Sequence, residues 1–248
     1  MADMILFVIF PYVAVALAAA AGLYRYFNER FSFSSLSSQF LEKRRLFWGS
    51  VPWHFGIGFI LLAHLLAALF PGPWASLIGA PERLYVLEIT GLALGLFTVV
   101  GIGLLISRRL ANPRIRAITS VMDWVLLAVL LLQVLAGVYT ALAYRWGLAW
   151  YVQLAAPYLW SLLKLAPQAQ YLANLPLVAK IHIFNAWVLV ALFPFTRLVH
   201  MLSLPLGYLI RPYQMVVWHR KNRPEPAAPV NQSKSINRGK STGIGVSG

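Results

Sequence analysis

The chain alternates long apolar runs with short polar segments through most of its length. Each run is about 20 residues long, which is what an α-helix needs to cross the hydrocarbon core of a bilayer. The pattern therefore predicts an all-α integral membrane protein, built as a bundle of five transmembrane helices. The five runs cover residues 4–23, 51–70, 84–106, 118–143 and 181–204.

One further apolar segment, residues 147–163, could form a sixth span. The lysines and arginines argue against it, because basic residues accumulate on the cytoplasmic side of membrane proteins. With five spans, 17 of the 21 basic residues lie on one side of the membrane. A sixth span would move the eight basic residues from Arg197 onward to the other side. We therefore expect residues 147–163 to form a re-entrant or surface helix at the outer face, with the N-terminus periplasmic and the C-terminus cytoplasmic.

Composition supports a membrane protein and restricts its chemistry. Hydrophobic residues make up 60% of the chain and charged residues 11%, whereas a soluble domain carries about 25% charged residues. The net charge of +14 then marks basic cytoplasmic loops rather than binding of nucleic acid. The chain has no cysteine, which excludes disulfides, protein-bound iron–sulfur clusters, thiolate-ligated haem and c-type haem attachment.

The last part of the chain differs from the rest in composition. Residues 216–248 are rich in Pro, Ser, Gly, Asn and Lys, and such a segment cannot bury a core. The sequence therefore predicts two regions. Residues 1–215 form the five-helix domain, and residues 216–248 form a flexible basic tail on the cytoplasmic side.

Four of the five histidines lie in two of the predicted spans. His54 and His64 belong to the second span, His182 and His200 to the fifth, and His219 to the tail. Because the two spans run in opposite directions, His54 should lie level with His200, and His64 level with His182. Paired axial imidazoles are the ligands of an electron-transferring b-type haem. The sequence thus predicts two haem b groups at two depths.

The spacing of the histidines supports this interpretation only in part. His182 and His200 are 18 residues apart, so in a continuous helix they share a face and are separated by roughly 27 Å. His54 and His64 are 10 residues apart, or roughly 15 Å. Tilt, oblique haem planes or a kink at Pro194 could absorb the difference. Zinc is the competing metal, but no cysteine or carboxylate accompanies these histidines.

Several stretches of the chain resemble one family closely. They are FPYVAV, LYRYFNERFSFSSLSSQFLEKR, WHFGIGFILLAHLL, RRLANPRIRAIT and KIHIFNAWVLVALFPFTRLVHMLSLPLGYLIRPYQ, in this order over residues 10–215. They resemble the haem-b membrane subunit, the gamma subunit, of respiratory nitrate reductase.

The resemblance implies a function for each histidine. Such subunits oxidise membrane quinol near an outer, distal haem and release its protons outside. Electrons then pass through an inner, proximal haem to a cytoplasmic iron–sulfur beta subunit and a molybdenum alpha subunit. The resemblance implies that His64 and His182 hold the distal haem, and that His54 and His200 hold the proximal one. It also implies a bacterial or archaeal cytoplasmic membrane.

Two arginines are further candidates for cofactor binding. The family carries a lysine at the outer start of the third span that serves the quinol site, and the equivalent position here is Arg83. Arginine keeps a charged donor there but is bulkier, and an interfacial anchor is the alternative. Arg197, three residues before His200, could pair with a haem propionate or extend to the membrane interface.

Two carboxylates and two glycines leave alternatives open. Glu88 and Asp123 lie inside predicted spans, which suggests proton handling, although a solvated or paired carboxylate near a span end is the alternative. Gly56 and Gly58 could admit a flat macrocycle or simply allow close helix packing.

Two other functions also stay open. The same cytochrome could serve another molybdenum or sulfur-metabolising complex, including nitrite oxidation with reversed electron flow. The second alternative is a non-redox membrane anchor or transporter, in which the histidines are structural or carry protons. A preparation without haem absorbance would favour it.

Overall fold

The computed structural model describes residues 1–28, 42–144 and 147–201. Five of its helices are long and apolar enough to cross a membrane, which confirms the predicted all-α fold with five spans. In chain order the helices are α1 (Ala2–Asn28), α2 (Arg44–Leu69), α3 (Pro71–Ile78), α4 (Pro81–Ala111), α5 (Pro113–Ala117), α6 (Val121–Ala143), α7 (residues 147–163) and α8 (Leu177–Leu192). The spans are α1, α2, α4, α6 and α8, the last with a short continuation to Phe195.

Three sequence predictions fall outside the described residues. They concern the tail over residues 216–248, His219, and the end of the fifth span at residue 204. The boundary at residue 215 therefore stays a prediction, as does the sidedness of the termini.

The five spans pack in an order that separates the two histidine-bearing helices. Helix α2 packs along α4, α4 along α6, α6 along α8, and α8 along α1. Helices α2 and α8 are both described over their full length, and they do not form an extended interface with each other. In this packing order, α4 and α6 come between the two histidine-bearing helices.

Small residues bring α2 and α4 into close contact. A Cβ atom on Gly101 would lie 2.5 Å from the backbone nitrogen of Trp53, and one on Gly56 would overlap the hydroxyl of Thr98. Such contacts are typical of membrane helices, whose association depends on close backbone approach. Gly56 therefore serves helix packing, whereas a Cβ on Gly58 would meet nothing within 4 Å.

Helix α7 is docked on the spans through its aromatic side chains. The hydroxyl of Tyr158 donates to the carbonyl of Phe7 at 2.8 Å. That carbonyl cannot accept a bond from the nitrogen of Pro11, which carries no hydrogen. The indole of Trp160 donates to the carbonyl of Ala68 at 2.8 Å. These bonds fix α7 beside the start of α1 and the end of α2, in agreement with the rejection of a sixth span.

The fifth span is not one continuous helix. Helix α8 ends at Leu192, and two 3₁₀ segments follow, Phe193–Phe195 and Arg197–Met201, with Thr196 extended between them. The prediction that His182 and His200 share one face of a single helix is therefore wrong. Pro194 is the cause, because its ring clashes with the preceding turn and it has no N–H to donate.

The break after Leu192 exposes backbone carbonyls, and Arg25 at the end of α1 binds them. Its guanidinium Nη1 donates to the carbonyl of Pro194 at 2.7 Å and to that of Thr196 at 3.4 Å. A cation is favourable at such a position, because the carbonyls that end a helix carry partial negative charge.

Charged residues cluster at one end of the bundle, which we call the arginine end and define by Arg25, Glu42, Arg108, Asp123 and Arg197. Arg108 is only 1% exposed, and its Nε donates to the Glu42 carboxylate at 2.7 Å. Burial raises the pKa of Glu42, but the backbone N–H of Arg45 and the Arg108 guanidinium outweigh burial and hold that pKa below its usual range. The opposite end, with residues 1–10, α3, α7 and the start of α8, is called the N-terminal end.

The close contact between α2 and α4 predicts unequal effects of two similar substitutions on α4. Gly101→Ala places a Cβ atom against the backbone of α2, which cannot move aside locally. Overpacking of this kind costs about 1–3 kcal/mol. We therefore expect a lower temperature of thermal unfolding in detergent for Gly101→Ala.

Gly103→Ala is the matched control, since a Cβ atom there meets nothing within 4 Å. Alanine also has the higher helix propensity, by about 1 kcal/mol. Equal unfolding temperatures for the two variants would contradict the packing described here.

Candidate functional site

The structure brings together His54 and His200, which the sequence predicts as one pair. Their ring centroids are 6.2 Å apart and their planes are inclined by 73°. His54 lies on α2 and His200 on the second 3₁₀ segment after the break. The break at Pro194 thus brings His200 level with His54. It does so although His182 and His200 are 18 residues apart, whereas His54 and His64 are only 10 residues apart.

His64 and His182, the second predicted pair, both lie nearer the N-terminal end. His64 is in the last two turns of α2, and His182 is in the second turn of α8. Tyr151 of α7 also packs on His64, with ring centroids 4.9 Å apart and planes inclined by 80°, and its hydroxyl donates to the carbonyl of His64 at 2.9 Å. Both predicted pairs therefore lie at separate depths, while their role as ligands stays a prediction.

The four imidazoles share one hydrogen-bond pattern. In each, Nδ1 lies within hydrogen-bond distance of a backbone carbonyl, so we infer that Nδ1 carries the proton of the neutral ring. The ring then keeps its lone pair on Nε2. The acceptors are the carbonyls of Ser50 for His54 (2.7 Å), Ile60 for His64 (2.8 Å), Gln133 for His182 (2.9 Å) and Arg197 for His200.

Helix α6 builds the surroundings of His182 although it carries no histidine. A Cβ atom on Gly137 would lie 3.0 Å from Cε1 of His182, so the glycine makes room for the ring. The amide of Gln133 lies 3.3 Å from Nε2 of His182 and can donate to it. Asn185 in turn donates to the Gln133 side chain at 2.7 Å and to the carbonyl of Val129 at 3.0 Å. These amides tie α8 to α6 at the depth of His182.

An ion pair holds the segment that carries His200. Arg197 binds Asp123 with both carboxylate oxygens engaged, Nε to Oδ1 at 2.6 Å and Nη2 to Oδ2 at 2.8 Å. Asp123 is 6% exposed, and it forms a capping box with Ser120 at the start of α6. Since the carbonyl of Arg197 binds His200, this ion pair connects α6 to the orientation of that imidazole. Whether Arg197 also binds a propionate stays a prediction.

The donor set fits a planar macrocycle better than a bare metal ion. Among the described residues, no group of three or more His, Cys, Asp and Glu side chains could hold a metal ion. Two imidazoles suffice for an iron whose other four positions are filled by a porphyrin. His54 is exposed, and Gly58, one turn away on α2, leaves open space beside it.

Arg83 lies at the N-terminal end, on the first turn of α4. Its guanidinium donates to the carbonyls of Leu77 at 2.7 Å and Ser76 at 3.1 Å, at the end of α3. The side chain is exposed. These bonds connect α3 to α4 and agree with the interfacial alternative, while a role in quinol binding stays a prediction.

Sequence reasoning missed the residues that orient the histidines from other helices. Gln133 and Gly137 are one turn apart on α6, so they share a face, and Gln133 is a polar residue inside an apolar span. That pattern could have indicated the contact with α8. Tyr151 lies in the segment expected to form a re-entrant or surface helix, and nothing in its sequence position indicates the contact with His64.

Comparisons with known proteins agree with the family suggested by the sequence. Residues 3–219 match the family model described as "Nitrate reductase gamma subunit". The chain is 34% identical to the nitrate reductase gamma chain of Bacillus subtilis over 226 residues, which cover 90% of this chain and 100% of that protein.

Two further relatives extend the comparison. The chain is 28% identical to the respiratory nitrate reductase 1 gamma chain of Escherichia coli over 228 residues, covering 86% of this chain and 96% of that one. It is 34% identical over 213 residues to a nitrate reductase-like protein of Mycobacterium tuberculosis, covering 82% of this chain and 32% of that protein. With five apolar spans and a match over most of its length, the chain belongs to the nitrate reductase gamma subunit family, as a multi-pass bacterial membrane subunit of an oxidoreductase complex that transports electrons.

Proposed function

We propose that this chain is a dihaem cytochrome b that oxidises membrane quinol and delivers the electrons to a nitrate reductase. His64 and His182 hold one haem b near the N-terminal end. His54 and His200 hold the second haem b near the arginine end. The observation that carries the proposal is the hydrogen bond from Nδ1 of every one of these imidazoles to a backbone carbonyl.

That hydrogen bond is typical of an axial haem ligand. A ligating imidazole coordinates through one nitrogen, and its other N–H is normally held by a carbonyl or carboxylate that fixes the ring. The same bond makes the ligand more basic and stabilises the coordinated form. At His182, an iron would take the place of the Gln133 amide at Nε2.

The chemistry supplied by the bound cofactor is the transfer of single electrons, because a haem iron between two imidazoles has no open coordination position for oxygen. The protein's own task is to hold the imidazoles at two depths. Along α2 the two ligands are about 15 Å apart at 1.5 Å per residue. Histidine pairs so placed would hold two cofactors along a path from one side of the membrane to the other.

The distribution of charge supports a direction for this path. Glu42 and Asp123 are paired with arginines, and further basic residues surround them at the arginine end. By the positive-inside rule this end is cytoplasmic. We propose that the iron–sulfur beta subunit binds there and passes electrons to the molybdenum alpha subunit, and that quinol is oxidised at the N-terminal, periplasmic end.

The paired arrangement predicts that four substitutions fall into two classes. His64→Ala or His182→Ala should each remove the same haem, because either change leaves one axial ligand. His54→Ala or His200→Ala should each remove the other haem. Reduced-minus-oxidised spectra and haem content of the purified complex would measure this, with one haem b lost in every variant.

His219→Ala is the control for these variants, since the fifth histidine belongs to neither pair, and it should keep both haems. The pairing would be refuted if His64→Ala and His182→Ala removed different haems. It would be refuted as well if all four variants kept two haems.

The ion pair at Asp123 predicts an effect on only one of the haems. Asp123→Asn removes one negative charge from the ion pair with Arg197 and loosens the segment that orients His200. Ferric iron carries one more positive charge than ferrous iron, so the midpoint potential of the His54/His200 haem should rise. We expect a change of about threefold in the ferric/ferrous equilibrium, or about 28 mV at 59 mV per tenfold. Potentiometric titration followed by absorbance would measure it.

Ser120→Ala is the matched control, because it removes the capping hydroxyl of α6 and keeps the Asp123 carboxylate. Its haem potentials should match those of the unchanged protein. Equal shifts of both haems in Asp123→Asn would show a general disturbance and contradict the selective role.

A further inference from the structure

Two buried polar atoms in the described part of the chain lack a hydrogen-bond partner. They are the indole Nε1 of Trp74, on α3, and the carboxylate Oε1 of Glu88, on α4. Buried polar groups are nearly always satisfied in folded proteins, so an unpaired atom requires a reason. The indole can only donate a hydrogen bond and the ionised carboxylate can only accept one.

Trp74 contacts an apolar cluster at the N-terminal end, and Glu88 lies on the same helix face as one member of that cluster. The cluster consists of Ala67, Ile78, Leu84 and Val152, and the side chain of Trp74 packs against it. Glu88 follows Leu84 by one turn, so the two residues share a face of α4. The spacing thus places the unpaired acceptor on the face of α4 that carries Leu84, a member of the cluster that the side chain of the unpaired donor contacts.

The contacts between α2 and α4 give the depth of Glu88 in the bundle. Gly101 lies against Trp53, and Gly56 against Thr98. Continuing this antiparallel register places His64 level with residue 90, which is two residues from Glu88. At 1.5 Å per residue, the axial offset is roughly 3 Å. Glu88 therefore lies at nearly the same depth as His64.

Tyr151 connects the cluster to the histidine pair. Its ring packs on His64, and Tyr151 also packs against the same apolar cluster as Trp74. A molecule bound between Trp74 and Glu88 would therefore be one side chain away from an imidazole of the pair at the N-terminal end. An ionisable residue inside a membrane span is costly and usually functional.

We propose that Trp74 and Glu88 bind the headgroup of the quinol, which rests on the quinol-oxidising function proposed above. The indole N–H donates to one quinol oxygen, and Oε1 of Glu88 accepts the hydrogen of a quinol hydroxyl. The apolar cluster packs against the ring. A quinol fits because each hydroxyl both donates and accepts, and because the rest of its headgroup is flat and apolar.

In this site Glu88 is a catalytic residue that takes a proton from the substrate. Quinol oxidation breaks two O–H bonds and yields a quinone, two protons and two electrons. The first proton passes to Oε1 of Glu88 and then to water at the N-terminal end, and the second leaves to the same face. His64 and His182 would hold the haem b that serves as the one-electron acceptor for the two electrons.

The test measures haem reduction by a quinol in the assembled complex. Anaerobic membranes are mixed with menadiol, a short naphthoquinol, and the haem absorbance is followed by stopped flow. Glu88→Gln keeps the size of the side chain but is a far weaker base, so the limiting rate should fall by at least about tenfold, the lower part of what general bases contribute. Trp74→Phe should raise the menadiol concentration for half-maximal rate about threefold or more, with a smaller effect on the limiting rate.

Glu82→Gln is the matched control, because Glu82 is an exposed carboxylate at the start of the same helix. It should behave as the unchanged protein. Dithionite should reduce both haems fully in every variant, which separates loss of quinol oxidation from loss of haem.

Normal menadiol kinetics in Glu88→Gln would overturn the proposal, and so would equal slowing in Glu82→Gln. If Glu88→Gln lost haem, the kinetics of Trp74→Phe would decide instead, and unchanged kinetics in that variant would overturn the proposal equally. An unchanged protein without haem, or one that menadiol does not reduce, would instead refute the function proposed above. The two failures are therefore distinguishable.

Discussion

Hydrogen bonds from side chains to backbone carbonyl groups hold the parts of this protein together. Some of these carbonyls have lost their usual N–H donor within a helix, and others accept a side chain as well. Hydrocarbon offers no water to satisfy polar groups, so each must find its partner within the protein. The imidazoles use carbonyls on α2, α6 and the segment after α8. Tyr158, Trp160 and Arg25 use others, at the start of α1, the end of α2 and the break after α8.

Two of these contacts, those made by Tyr158 and Arg25, arise where Pro11 and Pro194 interrupt the helical hydrogen bonds. Pro11 leaves the carbonyl of Phe7 without its helical donor, and the hydroxyl of Tyr158 binds it instead. Pro194 ends α8 within the membrane span, and Arg25 binds the carbonyls there. The first break anchors α7 at the N-terminal end, and the second sets the position of His200. One property of proline thus shapes both ends of the bundle.

The sequence was sufficient for the spans and for the prediction that His54 and His200 meet at one level, because both follow from the length of apolar runs and from antiparallel order. It was insufficient for the path of the chain after Leu192. The periodicity of the residues predicts a continuous helix, and only the backbone shows how far Pro194 and Thr196 turn the chain. The contacts of Gln133 and Tyr151 also depend on how neighbouring helices are rotated, which no local pattern encodes. Asp123 was recognised as unusual, but its pairing with Arg197 required the two helices to be placed together.

The number and coordination of the haems in the unchanged complex test the central claim most directly. Pyridine-haemochrome quantitation should find two haems b per chain, and low-temperature electron paramagnetic resonance of the oxidised complex should show two low-spin signals, each typical of two imidazole ligands. A preparation with no haem, with one haem, or with a high-spin iron that binds carbon monoxide when reduced would contradict the paired-imidazole arrangement.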